Sequence, residues 1–266
     1  MIDRKRLEAI VREAGRIALA TWPGDGHALT SWDKAPGSPV CSADLAVDGF
    51  LKAELRALLP AAGWLSEETV DAPSRLNDAL VWLVDPIDGT RDFIAGRSGW
   101  AVSVALVNTR RPLLGYLYAP ARRRAEGGEF WSAEAGRGAW RNGERLAASG
   151  RDSLPGARVP AKKLAVEDAD LTLVDQPNSI ALRMAMVAAD EADLLATLRW
   201  GYEWDIAAAG LIAREAGGVV TDAFGHPLNY NKHDPRAFGV LCSSTGIHAA
   251  AVSRLADRAA RYSVQP

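Results

Sequence analysis

The chain has 266 residues, 48% of them hydrophobic, which suits one large domain or two small ones with a sizeable core. Its 31 Lys and Arg nearly balance 33 Asp and Glu, giving a formal net charge of −2 and arguing against a nucleic-acid polymer as partner. No uninterrupted apolar run reaches the ~20 residues that span a bilayer, so no membrane role is expected. The only cysteines, Cys41 and Cys242, read as reduced, buried thiols, and His27, His226, His233 and His248 are too scattered for a zinc site.

The chain opens with MIDRKR, which looks like the basic start of a signal peptide. Glu8, Arg12, Glu13 and Arg16 interrupt the adjoining segment, so no apolar core of a leader is present. Leu7, Ile10, Val11, Ala14, Ile17 and Ala18 instead share one helical face, and an amphipathic helix of a cytoplasmic protein is expected. Residues 24–39, rich in Gly, Pro and Ser, read as a long loop. Residues 44–59 read as a helix whose apolar positions are Leu45, Phe50, Leu51, Leu55 and Leu58. Trp64-Leu65 reads as a strand end before the acidic Ser66-Glu67-Glu68. Strands are expected at 80–84, 100–107 and 113–118, with 128–131 and 139–141 pairing beside them. Asn142-Gly143 is a strong tight-turn signal. Residues 145–170 hold the junction between two halves, 1–146 and 147–266. A short strand at 171–174, helices at 179–189 and 205–216, strands at 219–221 and 238–242, and a helix from Ile247 complete the chain. The second helix stops at Gly217-Gly218. The mixture predicts a layered α/β (α+β) protein with mixed sheets.

The stretch LVWLVDPIDGTRDF (80–93) raises the functional question, because a buried strand ends there in Asp85, Asp88, Gly89 and Thr90. An ordinary turn would account for the Pro-Ile-Asp-Gly sequence. Three details weigh against that alone. Pro86 pushes Asp85 toward an extended conformation. Gly89 permits close approach of the backbone to a ligand. Thr90 can cap a following helical turn whose free N–H groups suit an anion. Carboxylates beside an anion-ready backbone suit Mg²⁺, which shares its coordination shell with water and substrate phosphate. Glu67 and Glu68 close another strand, and Asp205 follows Trp204 at a helix start. Taken singly, the glutamates read as a solvated turn, and Asp205 reads equally as a helix cap or a ligand.

Together, WLSEET (64–69), WLVDPIDGTRDF (82–93) and WDIAAAGLIAREAGGVVTD (204–222), with the hairpin GRGAWRNGERL (136–146), resemble the inositol monophosphatase superfamily over roughly residues 5–245. These are lithium-sensitive, magnesium-dependent phosphatases. The resemblance implies a five-layer αβαβα sandwich of the inositol monophosphatase/fructose-1,6-bisphosphatase type, with the site between its halves. It implies that Glu67, Asp85 and the Ile87 carbonyl hold one Mg²⁺, and that Asp85, Asp88 and Asp205 hold a second. A third, weaker ion would lie near Glu67. Mn²⁺ would be a substitute and Li⁺ an inhibitor. Thr90 and Asp44 would orient and deprotonate the attacking water. Gly89 and Thr90 N–H groups would grip the phosphate. Glu68 would support, and Lys34 would lie on a mobile loop over the site. The partner is a small phosphate ester, and a homodimer is allowed.

Which ester is read from departures within the family. Arg91-Asp92-Phe93-Ile94 and GYLYAP (115–120) resemble the bisphosphate nucleotidases. Inositol monophosphatases carry a Glu seven residues before the Trp-Asp aspartate. Here that count lands on Leu198, next to Arg199, and the nearby acid Glu203 is too close. Arg183 and Arg199 could meet a second phosphate, although solvated charges are the plain alternative. Trp200 and Tyr202 could cover an adenine, whereas most tryptophans should serve packing. The expected activity is that of a 3′(2′),5′-bisphosphate nucleotidase acting on adenosine 3′,5′-bisphosphate. An inositol-1-phosphatase with broad sugar-phosphate activity is the alternative. A non-catalytic metal- or phosphate-binding regulatory homologue is disfavoured, because no expected ligand is missing.

Overall fold

The computed structural model describes residues 2–35, 37–108 and 110–264. In chain order, helix α1 (Arg4–Leu19) is followed by the hairpin β1 (Ser31–Ala35) and β2 (Ser38–Cys41), then α2 (Ser42–Leu58). Next come β3 (Gly63–Ser66), β4 (Leu80–Asp88), the short α3 (Thr90–Ile94), β5 (Ala101–Asn108), β6 (Pro112–Ala119), β7 (Glu129–Glu134), β8 (Gly138–Arg141) and β9 (Glu144–Arg145). The remainder is β10 (Arg158–Pro160), β11 (Thr172–Val174), α4 (Ile180–Ala188), β12 (Leu194–Tyr202), α5 (Glu203–Glu215), β13 (Val219–Thr221), β14 (Arg236–Ser243) and α6 (His248–Ser263).

Strands β3 to β9 form a seven-stranded sheet in sequence order, antiparallel except for the parallel β3–β4 pair. A three-stranded sheet runs β12-β14-β13. One face of the larger sheet, through Trp82, Val84, Val102 and Val104, packs on Leu7, Val11, Ala14, Leu51 and Leu55 of α1 and α2. Its other face, through Leu65, Leu83 and Ala105, packs on α4 and α5, which in turn meet Val220, Val240 and Cys242 of the smaller sheet. Helix α6 covers the far side through Ala251 and Leu255 against Leu194 and Leu241. The layers therefore run α, β, α, β, α, the expected sandwich. Helix α5 sits between two sheets, which explains why residues 206–213 are buried on every side rather than along one stripe. Gly115 lets it lie close, since a Cβ there would be 2.7 Å from the Ala208 carbonyl oxygen.

Some expectations needed correction. The loop at 24–39 contains the β1–β2 hairpin, which alternation could not reveal because β1 is exposed along its whole length. Lys34 therefore lies on a strand rather than a loop. Leu45, expected on the apolar face of α2, is 46% exposed. Strand β12 was not expected as a strand at all. Both cysteines are buried and unpaired by disulfide, as anticipated. Asn142 and Gly143 both have positive φ, the mark of the tight hairpin turn they signalled. Among the described residues, no helix is long and apolar enough to cross a membrane.

Candidate active site

Asp85 and Asp88 are three residues apart, so a regular strand would point them to opposite faces. The pairing of β4 with β5 prevents this. Asp85 pairs with Ser103 and Asp88 with Ala101, so β4 carries one extra residue in a bulge at Pro86-Ile87. Proline suits that place because it has no N–H to offer the ladder. The bulge brings Asp85, Ile87 and Asp88 to one cavity of about 180 Å³, also lined by Glu67, Gly89, Thr90, Arg91, Asn178, Arg199 and Asp205. Gly89 follows at φ +97°, where a Cβ would lie 2.7 Å from the Gly99 carbonyl oxygen and 2.9 Å from the Ser179 nitrogen. Only glycine fits that turn.

Each acid is held by its neighbours. Asp85 accepts the Ile87 N–H at 3.0 Å. Asp88 accepts the Ser179 hydroxyl and the Ala181 N–H at 2.7 Å, which places it at the amino end of α4. Asp205, the third residue of α5, accepts the Tyr202 N–H at 3.1 Å. Glu67 and Glu68 share the Lys34 ammonium at 3.2 and 2.6 Å. Glu68 is the more enclosed of the two, with a side chain only 3% exposed, which agrees with a supporting place. Thr90 is the first helical residue, behind Gly89, and not the cap expected of it. Its hydroxyl lies 3.0 Å from the Ile87 carbonyl and 3.4 Å from Asp44 Oδ1. Having one proton, it can donate to only one of them at a time. Asp44 Oδ2 accepts the Cys41 N–H at 2.8 Å and its thiol at 2.9 Å, which fixes the carboxylate beneath Thr90.

Like charges in a confined space hold on to protons. Burial, reinforced by Glu67, Asp88 and Asp205, raises Asp85 well above the usual carboxylate range. Burial does the same to Asp205 with help from Asp88 and Glu67. It also pushes Asp44 from 3.8 to about 7. Such groups bind protons more tightly folded than unfolded, so their contribution to stability falls as pH rises between the two values. The metal-free protein should therefore lose thermal stability from about pH 4 towards pH 7, through these groups. Saturating Mg²⁺ should recover it most at the upper end, where protons no longer compete. Melting curves with chelator and with Mg²⁺, from about pH 5 to 8, test this. A metal-free melting temperature independent of pH, unaffected by Mg²⁺, would contradict it.

The donors are all oxygens, four carboxylates and a carbonyl, a set that fits a hard cation such as Mg²⁺. Among the described residues no three acidic, His or Cys side chains form a ready-made cluster. The acids instead ring the cavity, each engaged by its own neighbours, an arrangement that leaves room for water and phosphate.

A second, basic cavity of about 320 Å³ adjoins the first through the shared Asn178 and Arg199. It is lined by Lys162, Lys163 and Arg183, with Asp92 and Gln176. Arg183 is 7% exposed, and its guanidinium donates to the Ser179 and Asn178 carbonyls at 3.3 Å. Burial lowers its pKa, opposed by Asp88. Arg199 is exposed at the boundary between the cavities. Lys162 and Lys163 are not among the residues expected at the site, and the adjacent lysine pair in the 145–170 junction is the signal the sequence carries for them. Leu198, expected at the site, does not face it. Alternation along β12 turns Leu198 toward the apolar cluster under α6, while Thr197 and Arg199 face the site. Trp200 and Tyr202 wall a further cavity of about 190 Å³ that shares Ile180, Arg199 and Asp205 with the acidic one. They are 43% and 42% exposed, whereas Trp82, Trp100 and Trp131 are fully buried.

Residues 4–263 match the inositol monophosphatase family. The chain is 32% identical to the 3′(2′),5′-bisphosphate nucleotidase CysQ of Escherichia coli K12, over 85% of this chain and 92% of that one. It is 35% identical to the inositol-1-monophosphatase of Mesorhizobium japonicum, over 72% and 75% respectively. The solved Thermotoga maritima IMPase matches with a TM-score of 0.79 at 27% identity, covering 96% of this chain and 97% of that one. Fold, acidic ring and relatives together define a metal-dependent phosphatase. Within that class, the chain belongs to the inositol monophosphatase family.

Proposed function

We propose that the protein is a Mg²⁺-dependent 3′(2′),5′-bisphosphate nucleotidase that converts adenosine 3′,5′-bisphosphate and water to AMP and phosphate. The observation that carries this reading is the basic cavity of Lys162, Lys163, Arg183 and Arg199 beside the acidic one. A substrate with one phosphate leaves the exposed Lys162, Lys163 and Arg199 facing water, whereas a bisphosphate engages both cavities. Trp200 and Tyr202 stand on the third side, where a base could stack beside the Tyr202–Trp204 pair, whose rings lie 4.4 Å apart.

In this reading Glu67, Asp85, the Ile87 carbonyl, Asp88 and Asp205 hold Mg²⁺. When bound, Mg²⁺ supplies the positive charge that offsets charge developing on the phosphoryl oxygens and eases deprotonation of water. The backbone N–H groups of Gly89 and Thr90 orient the scissile phosphate. Thr90 Oγ1 takes a proton from the attacking water as it gives its own to Asp44 Oδ1, so the threonine ends as a neutral hydroxyl and the water as the nucleophile. Asp44 can take that proton because Cys41 donates only to its other oxygen. Lys34 balances Glu67 and Glu68 at the rim.

The purified enzyme should prefer adenosine 3′,5′-bisphosphate to inositol 1-phosphate in kcat/KM. A charge-assisted arginine–phosphate contact contributes on the order of 1.5–3 kcal/mol, or roughly ten- to hundredfold. Arg199→Ala should erase much of the preference by raising KM for the bisphosphate, with little effect on a monophosphate substrate. The double replacement Lys162→Ala, Lys163→Ala should act in the same direction. Arg183 is less suited to this test, because its guanidinium also ties down the start of α4. Equal or better hydrolysis of inositol 1-phosphate would overturn the proposal and favour the inositol-1-phosphatase reading.

A further inference from the structure

The acidic ring draws on distant parts of the chain. Glu67 begins the segment between β3 and β4, whereas Asp205 belongs to α5, which lies between the two sheets. These carboxylates repel one another, so the chain itself must hold the two parts in register when no cation does. A buried polar chain joins the same two parts away from the cavity. Arg75, in the segment after Glu67, is 2% exposed. Its guanidinium grips Asp71 with two bonds of 2.7 and 2.8 Å. It also donates to Asn231 Oδ1 at 2.6 Å and to the Lys232 carbonyl at 2.9 Å. Asn231 returns a longer bond of 3.4 Å to the Arg75 carbonyl. The N–H groups of Asn231 and Lys232 then donate to the two oxygens of Glu203 at 2.5 and 3.1 Å. Glu203 is 1% exposed, opens α5 and stands two residues before Asp205. Asn231 sits at φ +55°, a conformation that costs a non-glycine residue energy and is retained where its surroundings require it.

We infer that Arg75, Asn231 and Glu203 form a strap that sets the position of Asp205 relative to Glu67 and Asp85, with Arg75 as its central positioning residue. The inference rests on the Mg²⁺-ligand assignment above. None of the three touches the acidic cavity, so their influence on it runs through the start of α5 and the segment after Glu67. A guanidinium suits the task because its planar fork can engage Asp71, Asn231 and a carbonyl together, which an ammonium cannot. Burial makes the chain consequential, since removing one member leaves its partner unsatisfied away from water.

The test is Mg²⁺ binding by calorimetry to the full chain without substrate, together with thermal unfolding in chelator. Arg75→Met keeps volume and leaves Asp71, whose side chain is 33% exposed, to water. Asn231→Gly keeps the left-handed backbone and deletes only the side-chain link, so it guards against a folding defect. Arg254→Ala, which breaks the distant pair with Asp170, serves as control. Both strap variants should weaken Mg²⁺ binding roughly tenfold, the effect typical of residues that orient ligands from behind, while the control leaves it unchanged. In an Asp205→Asn background the weakening caused by Arg75→Met should be clearly smaller, because the part that runs through Asp205 is already lost. Unchanged Mg²⁺ affinity in strap variants that merely melt earlier would overturn the strap and leave the metal assignment standing. So would undiminished weakening in the Asp205→Asn background. Absence of Mg²⁺ binding by the unmodified protein would overturn both.

Discussion

Asp85→Asn is expected to lose roughly a thousandfold or more in kcat while the fold survives. Asp85 is the residue assigned to both Mg²⁺ ions, and its charge cannot be replaced by the ring, whose other members already repel it. Loss on the order of 4 kcal/mol of transition-state charge stabilisation corresponds to about three decades in rate. The fold should tolerate the change because burial disfavours a charged group at this position, and a neutral amide of the same shape escapes that penalty. Asparagine also keeps an oxygen able to accept the Ile87 N–H. Metal-free stability should rise slightly at neutral pH, since one of several repelling charges is gone. Steady-state kinetics across Mg²⁺ concentrations, paired with thermal melts, measure both. Near-normal turnover at saturating Mg²⁺ would sink the two-ion assignment.

Thr90→Ala should lower kcat by roughly 10²- to 10⁴-fold, the range for removing a positioned proton-transfer group. Mg²⁺ affinity should stay nearly intact, because the hydroxyl orients water and is not a ligand. The hydroxyl also binds the Ile87 carbonyl at 3.0 Å, so the variant could disturb a ligand indirectly. Thr90→Ser separates the two effects: it keeps a hydroxyl that can donate to either acceptor and should retain most activity. Asp44→Asn should resemble Thr90→Ala, since the pair acts as a unit. An unchanged kcat in Thr90→Ala would remove Thr90 and Asp44 from the water-activating role. A loss confined to Mg²⁺ binding would place Thr90 among the ligands instead.

The acidic site was legible because its chemistry is local. DPIDGT packs two carboxylates, a carbonyl and a left-handed glycine into six residues, and the first Glu of WLSEET and the Trp-Asp at a helix start supply the two remaining acids. Even so, a strict reading of strand alternation would have parted Asp85 from Asp88. The bulge that reunites them is visible only in the pairing of β4 with β5. Helices α1, α2 and α6 were likewise legible, since one buried face leaves a period in the sequence, and α5 was legible from the length of its apolar run. The hairpin over the site and strand β12 left no such trace. In the first, β1 is exposed throughout and only Val40 and Cys41 of β2 are buried; the other alternates between an apolar cluster and a polar cavity while remaining half exposed. For that reason Leu198 was assigned to the site from its distance to Asp205, although the pleat turns it away. The basic cavity is assembled from the segment after β10, the start of α4 and the middle of β12, so no window of sequence contains it. The strap from Arg75 to Glu203 spans still more of the chain. By itself, the sequence determined which atoms are available for metal and phosphate, because hard donors and a permissive backbone are properties of adjacent residues. Tertiary structure alone decided which cations stand beside them and what holds the ring together, because both depend on side chains brought within hydrogen-bond distance by the packing of two sheets around α5.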